Sequence, residues 1–129
     1  MAGKHLLDTN IIIAIFKRDA NVLQRLATAT EAFVPLIAIG ELYYGAQHSA
    51  QVQRNMQEVQ AFATQSQVLG CDLVTAEIYG QIKNELKAQG FPIPENDVWI
   101  AAIARQHDLI VATRDQHFQK VNGLTVESW

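Results

Sequence analysis

The segment that decides the fold is residues 4–16, KHLLDTNIIIAIF, near the start of the chain. Its first four residues predict a short strand, and the polar run 8–10 interrupts it. The apolar run 11–16 predicts a helix, although so many β-branched residues would suit a buried strand equally well. Asp8 therefore comes directly after a strand. Open parallel sheets build their sites at this position, in the crevice beyond the carboxyl ends of the strands.

A second segment, residues 109–115 with the sequence LIVATRD, repeats this arrangement far along the chain. Two such strands lying side by side would bring Asp8 and Asp115 together at one edge of the sheet. The alternative is that each aspartate only caps the helix that follows it, since aspartate is common at N-cap positions. The sequence leaves both interpretations open for either residue alone, and the argument for a site rests on the pair.

The composition indicates one globular domain spanning residues 1–129, of which 49% are hydrophobic. No apolar run approaches the roughly 20 residues of a membrane span, and the first residues lack the pattern of a signal peptide. We therefore expect no membrane segment and a cytoplasmic location. The single cysteine, Cys71, excludes an intramolecular disulfide and a cysteine-rich zinc site. It is predicted to be a small buried apolar residue.

The net charge of −3 argues, taken alone, against a nucleic-acid binder. Four acids change that argument if they lie together in one metal site: Asp8, Glu41, Asp97 and Asp115. The rest of the chain would then carry a net charge of +1, and a mildly basic surface could flank the site. Composition does not decide between these two cases.

Short predicted strands alternate with predicted helices along the chain. After the first strand, strands are predicted at 31–35, 67–71, 109–112 and 124–126, and helices at 21–29, 37–48, 50–63, 73–89 and 97–107, with a turn or short helix reaching residue 118. Ser49 and Asp72 are the predicted N-caps of the helices at 50–63 and 73–89. The alternation predicts right-handed βαβ crossovers, and so an α/β fold with a parallel sheet sandwiched between helices. The helix at 97–107 is apolar nearly all round, which predicts a central, buried position.

Each of the four acids comes at or near the end of a strand or the start of a helix, positions that crowd at one edge of a parallel sheet. Carboxylates within a few ångströms raise each other's pKa, and a hard divalent cation removes the conflict. Acids without a histidine or cysteine partner suit Mg²⁺ or Mn²⁺, which can activate a bound water for attack on phosphorus. The pattern therefore suggests metal-assisted phosphodiester hydrolysis, although scattered acids usually belong to solvated faces.

Four motifs and the end of the chain resemble the PIN-domain ribonucleases, and most closely the VapC-type toxins of bacterial toxin–antitoxin pairs. The motifs are LLDTN at 6–10, IGELYYG at 39–45, NDVWIAA at 96–102 and TRDQHF at 113–118, and the ending is VNGLTVESW at 121–129. Each motif is weak alone. Together they occur in the family's order and cover nearly the whole chain, which makes the resemblance quite specific.

This resemblance implies a single PIN-like α/β/α domain and Mg²⁺- or Mn²⁺-dependent endonuclease activity on RNA. Carried over by position, the metal-binding and catalytic acids would be Asp8, Glu41, Asp97 and Asp115. Thr9 and Thr113 match positions whose hydroxyls support the acids or a bound water, and Asn10 matches a structural asparagine. Asp115 departs from the pattern, because many members carry asparagine there, so its direct ligand role is less certain than those of Asp8 and Asp97.

The resemblance also implies two protein partners. One is a second copy of the chain, in a homodimer. The other is a small antitoxin, of which one segment covers the acidic site and inserts an arginine. An exposed acidic cluster would attract such an arginine through charge-assisted hydrogen bonds.

Two residues beside Asp115 each admit two roles. The Arg114 guanidinium could hold a scissile phosphate of the substrate in a bidentate fork, or it could form a salt bridge to a local carboxylate. His117 could move a catalytic proton, but we predict that it is a surface or capping histidine.

Two other functions would use the same residues. A binding module would keep the fold and the acids, bind a metal or a protein, and cut nothing. A phosphatase or a DNA nuclease would use the same acidic cluster, since metal chemistry on phosphorus does not itself choose RNA. Intact acids at all four positions argue against the binding module, and the resemblance favours RNA as the substrate.

Overall fold

The computed structural model describes residues 3–129, which form a parallel sheet between two layers of helices. The strands are β1 (Lys4–Leu7), β2 (Glu31–Pro35), β3 (Gln67–Leu69), β4 (Ile110–Thr113) and β5 (Val126–Ser128). The helices are α1 (Thr9–Phe16), α2 (Ala20–Thr28), α3 (Leu36–Gln47), α4 (Val52–Gln65), α5 (Leu73–Gln89) and α6 (Glu95–His107), and a 3₁₀ helix covers Gln116–Lys120. This arrangement confirms the predicted α/β fold.

The sheet has the strand order β3-β2-β1-β4-β5, and all its strands are parallel. β1 lies at the centre, where Leu6 is opposite Phe33 of β2 and Val111 of β4. Because the strands are parallel, their carboxyl ends meet at one edge. The residues that follow β1 and β4 are therefore neighbours in space, although more than a hundred residues separate them in sequence.

Alternate residues of the central strands face two separate cores, as the two-residue repeat of a strand requires. Leu6 and Val111 pack against α5 and α6 on one face. Leu7 and Ala112 pack against α1, α2, α3 and α4 on the other face. The sheet is thus covered on both sides, which is the usual state of a parallel sheet.

Helix α6 is buried along most of its length, as the sequence predicted. Its fully or almost fully buried apolar residues are Val98, Ile100, Ala101, Ala102, Ile103 and Ala104. Small alanine side chains on this helix permit close contact with its neighbours. The position of α6 matters for function because its first turn carries Asp97.

Several local predictions were wrong. Ser49 does not cap α4: its hydroxyl donates to the Ala46 carbonyl at 2.6 Å and so completes the end of α3. Cys71 is exposed, because the chain has already left β3 at Leu69 and is turning into α5. The last strand lies at Val126–Ser128, two residues later than predicted.

Other local predictions are confirmed. Residues 11–16 are helical, and Asp72 caps α5 together with Thr75. Each of these two side chains accepts a hydrogen bond from the main-chain N–H of the other residue. Gly90 ends α5 with a positive φ of 75°, a conformation that glycine adopts at little cost. No helix within residues 3–129 is both long and apolar enough to cross a membrane.

The central position of α6 predicts a large effect of truncating its buried side chains. Ile103 is 0% exposed, so Ile103→Ala should lower the free energy of unfolding by about 2–5 kcal/mol through lost burial and a residual cavity. Leu73 is 90% exposed, and Leu73→Ala should change that energy by less than about 0.5 kcal/mol. Urea unfolding followed by circular dichroism measures both. Equal losses in the two variants would contradict the placement of α6.

Candidate functional site

The fold brings the four predicted acids to the carboxyl edge of the sheet. Asp8 directly follows β1, and Asp115 comes two residues after β4 ends. Glu41 lies in α3 and Asp97 in the first turn of α6. The Asp8 N–H donates to the Ala112 carbonyl of β4 at 3.0 Å, so the pairing of the two central strands continues up to the site.

Asp8 and Asp115 act as helix caps and are also members of the acidic site. Asp8 accepts a hydrogen bond from the Thr9 N–H at 2.8 Å at the start of α1. Asp115 accepts one from the His117 N–H at 2.9 Å at the start of the 3₁₀ helix. The two interpretations that the sequence left open are therefore compatible, because a carboxylate has a second oxygen and further lone pairs.

The second oxygen of Asp8 is held by two side chains from the surrounding strands and helix. The Thr113 hydroxyl donates to Asp8 Oδ2 at 2.8 Å, and the Asn10 amide donates to the same oxygen at 3.2 Å. Thr113 is itself buried. These contacts fix the orientation of the Asp8 carboxylate.

Burial makes the bare Asp8 carboxylate unfavourable. Asp8 is only 4% exposed, and loss of hydration raises its pKa from 3.8 to about 6. The hydrogen bonds from Thr113 and Thr9 oppose that rise, and the nearby charges of Asp97 and Glu41 add to it. The pKa of Asp97 is also raised, mainly by burial. The charge of Asp115 adds to this rise, and the hydrogen bond with His117 opposes it. A positive charge at this site would stabilise both ionised acids.

The tightest group in the site consists of Asp97, Asp115 and His117. One ligand atom from each of the three residues lies within 4.8 Å of the other two. His117 Nδ1 is 3.2 Å from Asp97 Oδ2 and 3.0 Å from Asp115 Oδ1. His117 lies partly at the surface, as predicted, since its side chain is 48% exposed. The sequence did not predict that its ring also contacts both acids.

Glu41 approaches the site from α3. The Thr9 hydroxyl donates to Glu41 Oε1 at 2.7 Å and so holds this carboxylate in place. Glu41 lines one open cleft of about 400 Å³ together with Asp97, Asp115 and Asn96. Three of the four acids therefore line a common cleft, and Asp8 is buried close enough for its charge to interact with two of them.

Arg114 takes the second of its two predicted roles in this structure. Its Nη2 donates to Asp19 Oδ2 at 2.8 Å, and its Nε donates to the Trp129 carbonyl at 3.1 Å. The side chain is 42% exposed. The guanidinium is thus part of a salt bridge at the surface beside the acidic cleft.

The donor set suits a hard divalent cation. Carboxylate oxygens predominate, and Mg²⁺ and Mn²⁺ prefer such ligands. Asp97 and Asp115 would hold the ion, with Asp8 and Glu41 next to it as direct ligands or as acceptors for bound waters. A cation bound there would offset the repulsion and desolvation that raise the pKa values of Asp8 and Asp97.

Comparison with known proteins places this fold and site in a family. A model of the PIN domain matches residues 5–124, and the chain therefore belongs to the PIN-domain family. Ribonuclease VapC2 from Haemophilus influenzae is 38% identical over 129 residues, covering 98% of both chains. The tRNA(fMet)-specific endonuclease VapC from Shigella flexneri is 36% identical with the same coverage. Within the family the chain is thus of the VapC type, as the motifs indicated.

Solved structures agree with this placement. A VapBC complex from Salmonella typhimurium, crystallised with bound DNA, superposes with a TM-score of 0.90 at 32% identity. The match covers 100% of this chain and 99% of the other. The whole described fold, including the edge that carries the acids, therefore has a counterpart in a protein of the same type.

The raised pKa of Asp8 predicts how metal-free stability depends on pH. Its ionised form destabilises the fold above about pH 6, and this cost is relieved as the pH falls towards its ordinary pKa of 3.8. The neutral variant Asp8→Asn should therefore be more stable than wild type at about pH 8 in EDTA, by up to about 3 kcal/mol. The advantage should shrink on acidification to about pH 4. Urea unfolding across this range measures it, and a difference that is independent of pH would contradict the prediction.

Proposed function

We propose that this protein is a Mg²⁺- or Mn²⁺-dependent endoribonuclease and the toxin of a toxin–antitoxin pair. The observation that carries the proposal is the convergence of Asp8, Glu41, Asp97 and Asp115 at one edge of the sheet, where burial and mutual repulsion raise the pKa of Asp8 to about 6. Membership of the PIN-domain family and similarity to proteins named ribonuclease VapC support the same reaction class.

In the proposed reaction the side chains bind the cation and orient a water molecule, and none of them forms a covalent bond to the substrate. Asp97 and Asp115 supply oxygen ligands, and Asp8 completes the negative charge of the site, fixed by Thr113. Glu41 accepts a hydrogen bond from Thr9 and lines the open cleft. In the proposed reaction its carboxylate would accept a proton from a water molecule in that cleft. A bound Mg²⁺ or Mn²⁺ would supply the remaining chemistry, by lowering the pKa of a water and stabilising the leaving oxygen at phosphorus.

The proposed substrate is RNA, and the relatives suggest which RNA to test first. The proteins from Shigella flexneri and Salmonella typhimurium are named tRNA(fMet)-specific endonucleases, at 36% and 33% identity. Initiator transfer RNA is therefore a rational first substrate for this chain. A phosphatase or a DNA nuclease would use the same acids, so a substrate panel must include DNA and a phosphomonoester.

Cleavage should require both the cation and Asp97. Wild-type protein incubated with total RNA, and with initiator transfer RNA, should give discrete fragments in Mg²⁺ or Mn²⁺ and none in EDTA. Asp97→Asn should lower the rate by at least about 100-fold, because it removes a charged ligand from the site. Gel electrophoresis of the products measures the rate.

Asp108→Asn is the matched control for this experiment. It makes the same chemical change at the opposite end of α6, where Asp108 has a positive φ of 54° that asparagine also tolerates. This variant should cut RNA like wild type. Wild-type protein that binds Mn²⁺ but cuts no RNA would favour the binding module instead. Cleavage of DNA or of the phosphomonoester in preference to RNA would move the assignment to those substrates.

The proposed protein partners are an antitoxin and a second copy of the chain. The solved VapBC structures are complexes, which supports an antitoxin partner here. An apolar groove between α1, α3 and α4 includes Ile13, Phe16 and Leu42, and Glu41 lines both this groove and the acidic cleft. A peptide segment in the groove would be positioned to place an arginine against the acids, where charge-assisted hydrogen bonds would hold it.

The toxin assignment predicts a growth effect that depends on the site. Expression of the wild-type chain alone should stop bacterial growth, and expression of Asp97→Asn should not. Where a small gene lies next to the one that encodes this chain, co-expression with its product should restore growth. Colony counts after induction measure both effects. Normal growth with the wild-type chain at levels that cleave RNA in extracts would contradict the toxin role.

A further inference from the structure

Arg114 lies in the backbone segment that joins two parts of the acidic site. Its predecessor, Thr113, donates a hydrogen bond to Asp8, and its successor, Asp115, belongs to the tight acidic group with Asp97. The position of Asp115 therefore depends on how the turn at Arg114 is held. This turn lies outside the regular hydrogen bonding of β4, which ends at Thr113.

Contacts from three separate parts of the chain hold this turn. The main-chain N–H of Arg114 donates to Asn10 Oδ1 of α1 at 3.2 Å. Its guanidinium donates from Nη2 to Asp19 at 2.8 Å, and from Nε to the Trp129 carbonyl at 3.1 Å. A guanidinium can bind a phosphate through two parallel hydrogen bonds from its Nε–Nη2 edge. In Arg114 both donors of that edge already contact protein oxygens.

Asp19 is a fixed anchor for the guanidinium. Its other oxygen, Oδ1, accepts a hydrogen bond from the Val22 N–H at 3.2 Å and so caps α2. The hydrogen bond from Arg114 is the main reason that the pKa of Asp19 lies below its usual range. The anchor therefore stays ionised under ordinary conditions.

We propose that Arg114 is a positioning residue, whose pairing with Asp19 and the Trp129 carbonyl holds the turn that presents Asp115 to the cation. It acts through Asp115 and does not bind a phosphate of the substrate. The role towards the cation rests on the proposed function, whereas the role in holding the turn does not. Exposed ion pairs contribute little to the free energy of unfolding, so the pair can be broken without unfolding the protein.

The structure offers variants that separate this role from capping and from general effects of charge. Asp19→Asn keeps an oxygen that can cap α2, since asparagine is a good N-cap, but removes the charge that Arg114 contacts. Arg114→Gln removes the other partner, and the double variant tests whether the two act as one unit. Glu31→Gln is the control, because it breaks a comparable ion pair with Lys4 at 3.3 Å at the amino ends of the strands.

Amide hydrogen exchange reports on the turn without metal or RNA. The Asp115 N–H donates to Thr113 Oγ1 at 2.9 Å, and the His117 N–H donates to Asp115 Oδ1 at 2.9 Å. Both amides should exchange faster in Asp19→Asn and in Arg114→Gln than in wild type, with no further increase in the double variant. They should exchange at the wild-type rate in Glu31→Gln.

Metal binding and kinetics then connect the turn to the site. The dissociation constant for Mn²⁺ should rise roughly tenfold in Asp19→Asn and in Arg114→Gln, the usual size of an effect from a residue that orients a ligand. For RNA cleavage, kcat should fall and KM should stay unchanged in both variants. This pattern separates a positioning residue from a phosphate ligand, for which KM would rise in Arg114→Gln.

Two results would overturn the proposal. One is wild-type amide exchange and Mn²⁺ affinity in Asp19→Asn. The other is a raised KM in Arg114→Gln together with wild-type behaviour of Asp19→Asn, which would assign the guanidinium to the substrate. A wild-type protein that bound no Mn²⁺ and cut no RNA would instead refute the proposed function, and the exchange rates would still decide whether Arg114 holds the turn.

Discussion

The structure depends above all on the register between β1 and β4. Leu7 is opposite Ala112, and the hydrogen bond from the Asp8 N–H to the Ala112 carbonyl extends the pairing by one residue. A slip of one residue would turn every side chain of a strand to the opposite face. It would move Leu7 out of its core and also separate Asp8 from Thr113. The same register thus fills the two cores and assembles the site.

The stability of the cores permits a site that is unfavourable on its own. An ionised carboxylate as buried as Asp8 loses hydration, and its neighbours at Asp97 and Glu41 add repulsion. Only part of that cost is recovered through the hydrogen bonds that Asp8 accepts from Thr113 and Thr9. The remaining cost would favour the binding of a cation, because a charge of opposite sign would offset it. The fold therefore brings these acids together at the expense of its own stability.

The fold and the position of the acids could be predicted from the sequence, because both depend on local sequence patterns. Acids that follow apolar strands, and an apolar helix that begins beside Asp97, predict an α/β sheet with acids at one edge. The placement of His117 was missed because it depends on a 3₁₀ helix, which has no hydrophobic repeat. The sequence offered one signal, which is that His117 lies two residues after Asp115. An aspartate side chain that accepts a hydrogen bond from the main-chain N–H two residues later forms a turn. The pairing of Arg114 with Asp19, 95 residues away, leaves no local signal at all.

The central claim is that the acids form one cation site and that a bound metal offsets the free-energy cost of their burial and repulsion. Its most direct test is calorimetric titration of metal-free protein with Mn²⁺ in buffers of different ionisation enthalpy. Near pH 6, where Asp8 is partly protonated, binding should release protons to the buffer. At about pH 8, where Asp8 is ionised, binding should be tighter and the release should vanish. Absence of Mn²⁺ binding, or a binding enthalpy that is independent of the buffer near pH 6, would contradict a single cation site that includes Asp8.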